Sequence, residues 1–346
     1  MRAAFLVGPT KFEIRDIPEP EPPPDGLVLA IKACGVCGSD LRRWKEGIPP
    51  GGEPVIAGHE ISGVVSAVGK HLKGYAAGDR LAVAPDVHCG DCYYCKRCMY
   101  NLCDNLRLVG ITPGYPGGFA EKMILTGEIL TNGVVHKIPG DMAYSDAAFA
   151  EPCSSVLATH AHIDTGLGDT VVVMGAGPIG CLHIAVSMAR GAKVILSEPM
   201  PVRREMALSF SPEWVIDPFS EDLVRRVREI TCGVGVDSVI CANPVAATQT
   251  QAVELVRKGG KVVLFGGLPK ANPMTTLNGN LIHYGEIQVI GSFSYHPSFH
   301  ETALEVIDRK LIASQKLITH IFPLEQIDEA FQTAAAGEAL KILVQA

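Results

Sequence analysis

The chain has 346 residues, 47% of them hydrophobic, which is enough for a large core and, at roughly 150 residues per domain, suggests two domains. A formal net charge of -7, from 30 basic and 37 acidic side chains, argues against a nucleic-acid surface, which needs a concentrated basic face. No run approaches the roughly 18 apolar residues of a membrane span, and the opening MRAAFLVGPTKFEIRDI lacks the features of a signal peptide, so the cytosol is the expected compartment.

In chain order, the first 150 residues carry short alternating or apolar runs between glycine and proline turn signals: AAFLVG from Ala3, LVLAIKA from Leu27, ISGVVSAVG from Ile61 and DRLAVAP from Asp79. These predict mostly antiparallel strands in a small barrel. The segment PEPEPPPDG around Glu19 reads as an extended connection. From Asp169 the texture changes. TVVVMGAG is a continuous apolar strand, PIGCLHIAVSMAR has helical length and spacing, and GAKVILSE is a second strand, together a βαβ unit. The alternation continues through EWVID, a helix over 220–231, VDSVICA, a helix over 246–257, KVVLFGG and IQVIGSF. Six such strands predict a doubly wound parallel sheet. After Ser298 come two helix candidates, HETALEVIDRK and LEQIDEAFQTAAAG, and a last strand, ALKILVQ.

Gly175, Gly177, Pro178, Ile179 and Gly180 belong to GAGPIG, directly after the first strand of that alternation and at the start of its helix. The first glycine permits a tight turn, the second lets the backbone approach a pyrophosphate, and the third lets helix and strand pack closely. Pro178 suits the first helical position, and the helix N-terminus then faces the phosphates. Glu198 ends the next strand, where a carboxylate can bind both ribose hydroxyls and repel a 2′-phosphate. NAD is therefore expected ahead of NADP, although Arg203 or Arg204 can turn toward such a phosphate.

The run CGDCYYCKRCMYNLC, from Cys89 to Cys103, holds five of the eleven cysteines. In a reducing cytosol such density is more often a metal site than a set of disulfides. Cys89, Cys92 and Cys95 are spaced for one ion, with a fourth ligand from Cys98 or Cys103. Cys98 would begin to resemble a ferredoxin-type cluster, whereas Cys103 would complete a closed tetrahedron suited to structural zinc. A second set is dispersed: Cys37 in GVCGSD, His59 and Glu60 in AGHE, and Glu151 in FAEP. One thiolate, one imidazole and a carboxylate or two describe a catalytic metal site with an open position. Arg42, Arg43, Trp44 and Lys45 form a short basic stretch, either a solvated loop or a fork for an anionic substrate group.

The ordered combination CGVCGSD, GHEISGVVSAVG, the cysteine lobe, AEPCSSVLATH, VVVMGAGPIG and VIGSF resembles the zinc-dependent medium-chain alcohol dehydrogenase family over essentially the whole chain. The resemblance implies an α/β protein. A GroES-like, β-rich catalytic domain would span 1–153 and 291–346, with a structural-zinc lobe at about 85–105, and a Rossmann NAD-binding domain would span 154–290. It implies two zinc ions per subunit, the structural one held by Cys89, Cys92, Cys95 and Cys103, the catalytic one by Cys37 and His59 with Glu60 or Glu151. Glutamate at Glu151, where simple alcohol dehydrogenases commonly have cysteine, looks like the polyol and threonine dehydrogenase branch. Ser39 matches the hydroxyl that accepts the alcohol proton, with Glu60 and Glu151 as further catalytic carboxylates; Arg42 stands where many members carry a relay histidine. Lys341 is similar in position to a basic residue at the cofactor pyrophosphate, and Gly266 and Ser292 fall where the nicotinamide would lie. Phe119 and Tyr295, with Arg42 and Arg43, are candidate substrate contacts. The expected activity is hydride transfer from a polyol, free or phosphorylated, to NAD. A threonine 3-dehydrogenase or a non-catalytic zinc- and nucleotide-binding protein are the alternatives, and a homodimer or homotetramer is implied.

Overall fold

A computed structural model describes residues 1–49 and 51–346. Its contacts divide the chain into two compact units, Met1–Ser154 with Tyr295–Ala346, and Ser155–Ser294. Among the described residues no helix is long and apolar enough to cross a membrane.

The first unit is built from the short runs that the turns separate. Strands Leu27–Gly35, Glu60–Val68 and Arg80–Val87 lie side by side in one antiparallel sheet, with Lys122–Leu125 also on the first and Gly133–Lys137 also on the third. The sequence distant in number returns here: Lys341–Gln345 pairs antiparallel with Leu27–Gly35, Leu343 opposite Gly35, and parallel with Ile318–Pro323. That pairing brings the carboxyl-terminal strand beside the residues that precede Cys37. A three-stranded antiparallel sheet, Arg2–Gly8 between Lys11–Asp16 and Val55–Ile56, completes the β structure. The core is aromatic as well as aliphatic: Phe12, Phe119, Trp44 and Phe331 are buried with ring centroids 4.8 to 6.4 Å apart, in tilted and edge-on pairs that such rings prefer.

The second unit holds the six strands expected from the apolar runs: Thr170–Met174, Lys193–Ser197, Trp214–Ile216, Val236–Cys241, Val256–Leu264 and Gln288–Gly291. All pair in parallel, in the spatial order third, second, first, fourth, fifth, sixth. This is the doubly wound order, whose reversal between the first and fourth strands opens a crevice at the strand carboxyl ends. Val171, Val172 and Val173 are fully buried, as a strand covered on both faces requires. The helix expected over 246–257 ends at Leu255, because Val256 pairs with Val236 and starts the next strand.

Candidate functional site

Three segments of the first unit carry the dispersed metal-ligand types. Cys37 immediately precedes helix Gly38–Glu46, His59 and Glu60 open strand Glu60–Val68, and Glu151 lies in the first turn of helix Ala150–Ile163. Donor atoms of Cys37, His59 and Glu60 all lie within 4.8 Å of one another. Glu151 stands outside that set, so of the two carboxylates left open by the sequence, Glu60 is the one placed with the thiol and imidazole. Gly35 makes room for it: a Cβ there would lie 1.9 Å from Glu60 Oε2. Glu60 is completely buried, and Lys341 Nζ donates to both its carboxylate oxygens at 2.6 Å and to Val36 O at 3.2 Å. Lys341, expected from the sequence near a pyrophosphate, is here the buried partner of a carboxylate that burial would otherwise leave uncompensated.

Asp40 is a participant that sequence reading missed. Its Oδ2 accepts the Cys37 N–H at 3.1 Å, while Oδ1 lies 3.3 Å from His59 Nδ1. An acidic residue three positions after Cys37, in the first turn of a helix, was the available signal. Burial opposes a charged His59, yet the negative Asp40 and Cys37 outweigh it and hold the imidazole pKa well above its usual value. The thiol, imidazole and carboxylate donors brought together there fit zinc. Burial first, then the neighbouring carboxylates Glu60 and Asp86, push Glu151 up to about 7 against the pull of His59 and Lys341. Tyr295, which is buried, donates its hydroxyl to the half-buried Glu151 Oε1 at 3.2 Å.

In the cysteine lobe the donor atoms of Cys89, Cys92, Cys95 and Cys103 lie within 4.8 Å of one another. Cys92 Sγ is 3.5 Å and Cys89 Sγ 4.0 Å from Cys95 Sγ, while Cys103 Sγ accepts the Cys89 N–H at 3.3 Å; all eleven cysteines are free thiols. Backbone N–H groups of Asp91 and Cys92 lower the Cys89 pKa to about 6, and that of Cys95 lowers Cys92. Cys98 is exposed with φ +58° and lies outside the set, which removes the ferredoxin-like alternative. Four convergent thiols, grouped with no fifth donor among the described residues, suit a closed tetrahedral zinc.

In the second unit the glycine turn has the form a dinucleotide needs. Helix Pro178–Ala189 begins with Gly177 as N-cap and Pro178 in its first turn. A Cβ at Gly180 would lie 1.9 Å from Gly175 O, so only glycine allows this strand and helix to approach, whereas Gly177 faces open space into which a pyrophosphate fits. Glu198 is nine-tenths buried or more, and its two oxygens accept the Ala176 N–H at 2.6 Å and the Met200 N–H at 2.8 Å, tying the turn to the next helix. Arg204 is committed to the carbonyls of Glu198 and Pro199 and to Asp217, which leaves Arg203 as the nearer candidate for a 2′-phosphate. Gly266 and Ser292 follow the fifth and sixth strands, and Ser292 Oγ lies 2.6 Å from Thr159 Oγ1.

The basic stretch does not form a single fork. Arg42 and Lys45 are exposed, Arg43 donates to Gly110 O at 3.1 Å, and Trp44 packs into the core against Phe331. Phe119, expected as a substrate wall, is fully buried among Phe12 and Phe331 and is a core residue instead. Ser39 is exposed in the first turn of helix Gly38–Glu46.

Two family models match the chain, an alcohol dehydrogenase GroES-like domain over residues 23–139 and a zinc-binding dehydrogenase over residues 178–309. The chain is 33% identical to a sorbitol dehydrogenase of Halalkalibacterium halodurans, over 97% of this chain and 96% of that protein. It is 31% identical to a D-arabitol-phosphate dehydrogenase of Enterococcus avium, over 95% and 92%, and 32% identical to an L-threonine 3-dehydrogenase of Pyrococcus horikoshii, over 96% and 94%. Among solved structures it matches a zinc-binding dehydrogenase of Sinorhizobium meliloti 1021 bound to NADP, with a TM-score of 0.90 and 30% identity over 100% of this chain and 99% of that one. The chain belongs to the zinc-dependent medium-chain alcohol dehydrogenases, in their polyol and threonine dehydrogenase branch, and is an oxidoreductase.

Proposed function

We propose that this protein oxidises a secondary alcohol of a polyol to a ketone, passing the hydride to NAD. The observation that carries the reading is the Tyr295–Glu151 pair, its tyrosine buried and its carboxylate half-buried, in the same unit as the Cys37, His59 and Glu60 donor set. Those two side chains offer a donor and an acceptor at one place, as a substrate with several hydroxyls requires. Cys37, His59 and a carboxylate would hold a zinc ion, whose Lewis acidity would let a hydroxyl ionise near neutral pH. Asp40 Oδ1, 3.3 Å from His59 Nδ1, would orient that ring, Lys341 pairs with Glu60, and Glu60, with Glu151 as the alternative, would be the carboxylate donor. Ser39 receives the hydroxyl proton. Arg42, a guanidinium with donors and no acceptor, cannot take it on, so the proton leaves from the exposed Ser39 through water.

The glycine turn would hold the pyrophosphate at the N-terminus of helix Pro178–Ala189, and Glu198, whose oxygens brace the turn, would be the carboxylate for the ribose hydroxyls. The Glu198 carboxylate at the end of strand Lys193–Ser197 supports NAD over NADP, and the commitment of Arg204 leaves Arg203 as the one cation of that pair that could favour a 2′-phosphate. Commitment of Arg43 to Gly110 supports a free polyol over a phosphorylated one. Four reduced thiols in the lobe agree with a cytosolic enzyme, and family likeness suggests a homodimer or homotetramer. The test is NADH formation by zinc-loaded protein with free polyols, phosphorylated polyols and threonine, with and without chelator. Chelator-sensitive turnover of a free polyol supports the reading, and preference for threonine replaces it within the same chemistry. A silent panel with zinc and NAD shown to bind leaves a binding-only protein.

A further inference from the structure

The cysteine lobe and the Tyr295–Glu151 pair are joined by a ladder of rings. His88 follows strand Arg80–Val87 and immediately precedes the first lobe cysteine; its ring stacks on Tyr100 with centroids 4.2 Å apart and planes at 19°. The other neighbour of Tyr100 is His296, 5.2 Å away at 39°. Tyr100 opens the short 3-10 turn between Met99 and Cys103, so its backbone is set by the fold of the lobe. The His296 ring is pinned independently, its Nδ1 accepting the Ser298 N–H at 3.2 Å and lying 2.8 Å from the Ser298 hydroxyl at the start of helix Ser298–Asp308. His296 is covalently next to Tyr295, whose hydroxyl donates to Glu151.

We propose that Tyr100 is a positioning residue, through which the folded cysteine lobe holds segment 295–298 and thereby sets the Tyr295–Glu151 contact used for substrate. The proposal rests on the substrate reading above for its kinetic consequence, but not for its structural one. Tyr100 touches no reacting atom. Its ring fills the gap between two imidazoles whose backbones belong to different segments, and without it nothing in the ladder ties His296 to His88. The hydroxyl is not what matters: it reaches Cys98 Sγ at 3.7 Å, a long contact to a thiol outside the metal-ligand set.

The experiment compares Tyr100→Leu and Tyr100→Phe in the full-length, zinc-loaded protein, with zinc counted in each. An aromatic pair contributes enough for the loss of one ring to change substrate affinity by about three- to tenfold. Tyr100→Leu should therefore raise KM for the polyol by that factor with kcat nearly unchanged. Tyr100→Phe should restore the parent KM, and both should keep two zinc ions. Hydrogen exchange, which needs no turnover, should show faster exchange in 294–298 and 149–153 for Tyr100→Leu and unchanged exchange in the strand 170–174. A parent enzyme silent toward every alcohol would overturn the substrate reading and leave exchange to decide the ladder. Unchanged exchange in 294–298 with both zinc ions bound would overturn the ladder whatever the kinetics, and so would a Tyr100→Phe variant as impaired as Tyr100→Leu.

Discussion

Replacing Lys341 by methionine removes the cation that lies 2.6 Å from both oxygens of the fully buried Glu60. A buried carboxylate deprived of its partner must stay charged in a poor solvent or take up a proton, and breaking such a pair from one side costs about 3–5 kcal/mol. Lys341 is itself only 3% exposed, so solvent screening does little to reduce that figure. Removing both charges together, in Glu60→Gln/Lys341→Met, should cost about 1–2 kcal/mol, since a neutral amide is easier to bury than a lone ion. The assay is urea unfolding of chelator-treated protein followed by tryptophan fluorescence. The chain has two tryptophans, and Trp44 lies in the first unit, so a Trp214→Phe background makes the signal report that unit. Zinc loading should recover part of the Lys341→Met loss, because the ion offers Glu60 a second positive partner. A Lys341→Met loss below about 1 kcal/mol, or two single losses that simply add in the double variant, would refute the reasoning.

Three further outcomes follow from the geometry. Gly180→Ala places a methyl 1.9 Å from Gly175 O and must displace the turn, so NAD affinity measured by calorimetry should fall at least about tenfold while lobe zinc is kept. Cys103→Ser should reduce bound zinc from two ions to one per chain by metal analysis, whereas Cys98→Ser, outside the thiol set, should keep both. His160 and His183 are buried in the second unit, Nε2 to Nδ1 at 3.1 Å, and burial lowers His160 to about 3 and His183 well below its usual value. Both stay neutral when folded. Stability is thus fully present above the unfolded pKa near 6.5 and is lost as pH falls from there toward 3, at about 1.4 kcal/mol per pH unit for each histidine. Urea unfolding measured between pH 7 and pH 5 should show a loss of about 2 kcal/mol per histidine, the slope steepening toward that limit, and His183→Gln should remove one share of it.

What the sequence made legible followed from backbone rules with few solutions. Continuous valine and isoleucine runs such as Val171–Val173 have no stable place except a strand covered on both faces, so all six parallel strands could be read. The glycine turn could be read because a Cβ at Gly180 has nowhere to go. Helix Gly279–Gly285 was missed because GNLIHYG begins and ends in glycine and is specified by the Asn278 side chain, which caps Asn280 N–H and Leu281 N–H at 3.1 Å, rather than by an apolar stripe. Helix Gly38–Glu46 was read as a basic loop for a similar reason: four of its nine residues are Arg, Lys or Glu, and only Asp40 and Trp44 are buried. The thiol ligands were legible because their spacing is local. The partner of Lys341 was not, since Glu60 is 281 residues away and the contact depends on strand Lys341–Gln345 lying beside Leu27–Gly35. Phe119 was misassigned because an aromatic residue that lines a pocket and one that fills a core have the same sequence signature.

The most direct test of the central claim follows the hydride itself. Zinc-loaded protein is given NAD and a polyol carrying deuterium on the secondary carbinol carbon, and the NADH is examined by mass spectrometry. The account expects one deuterium per NADH formed, a ketone at the labelled carbon, and loss of both products when Cys37→Ser removes a metal donor. Unlabelled NADH would place hydride release at another carbon, and no NADH from any secondary alcohol, with zinc and NAD both bound, would contradict the account.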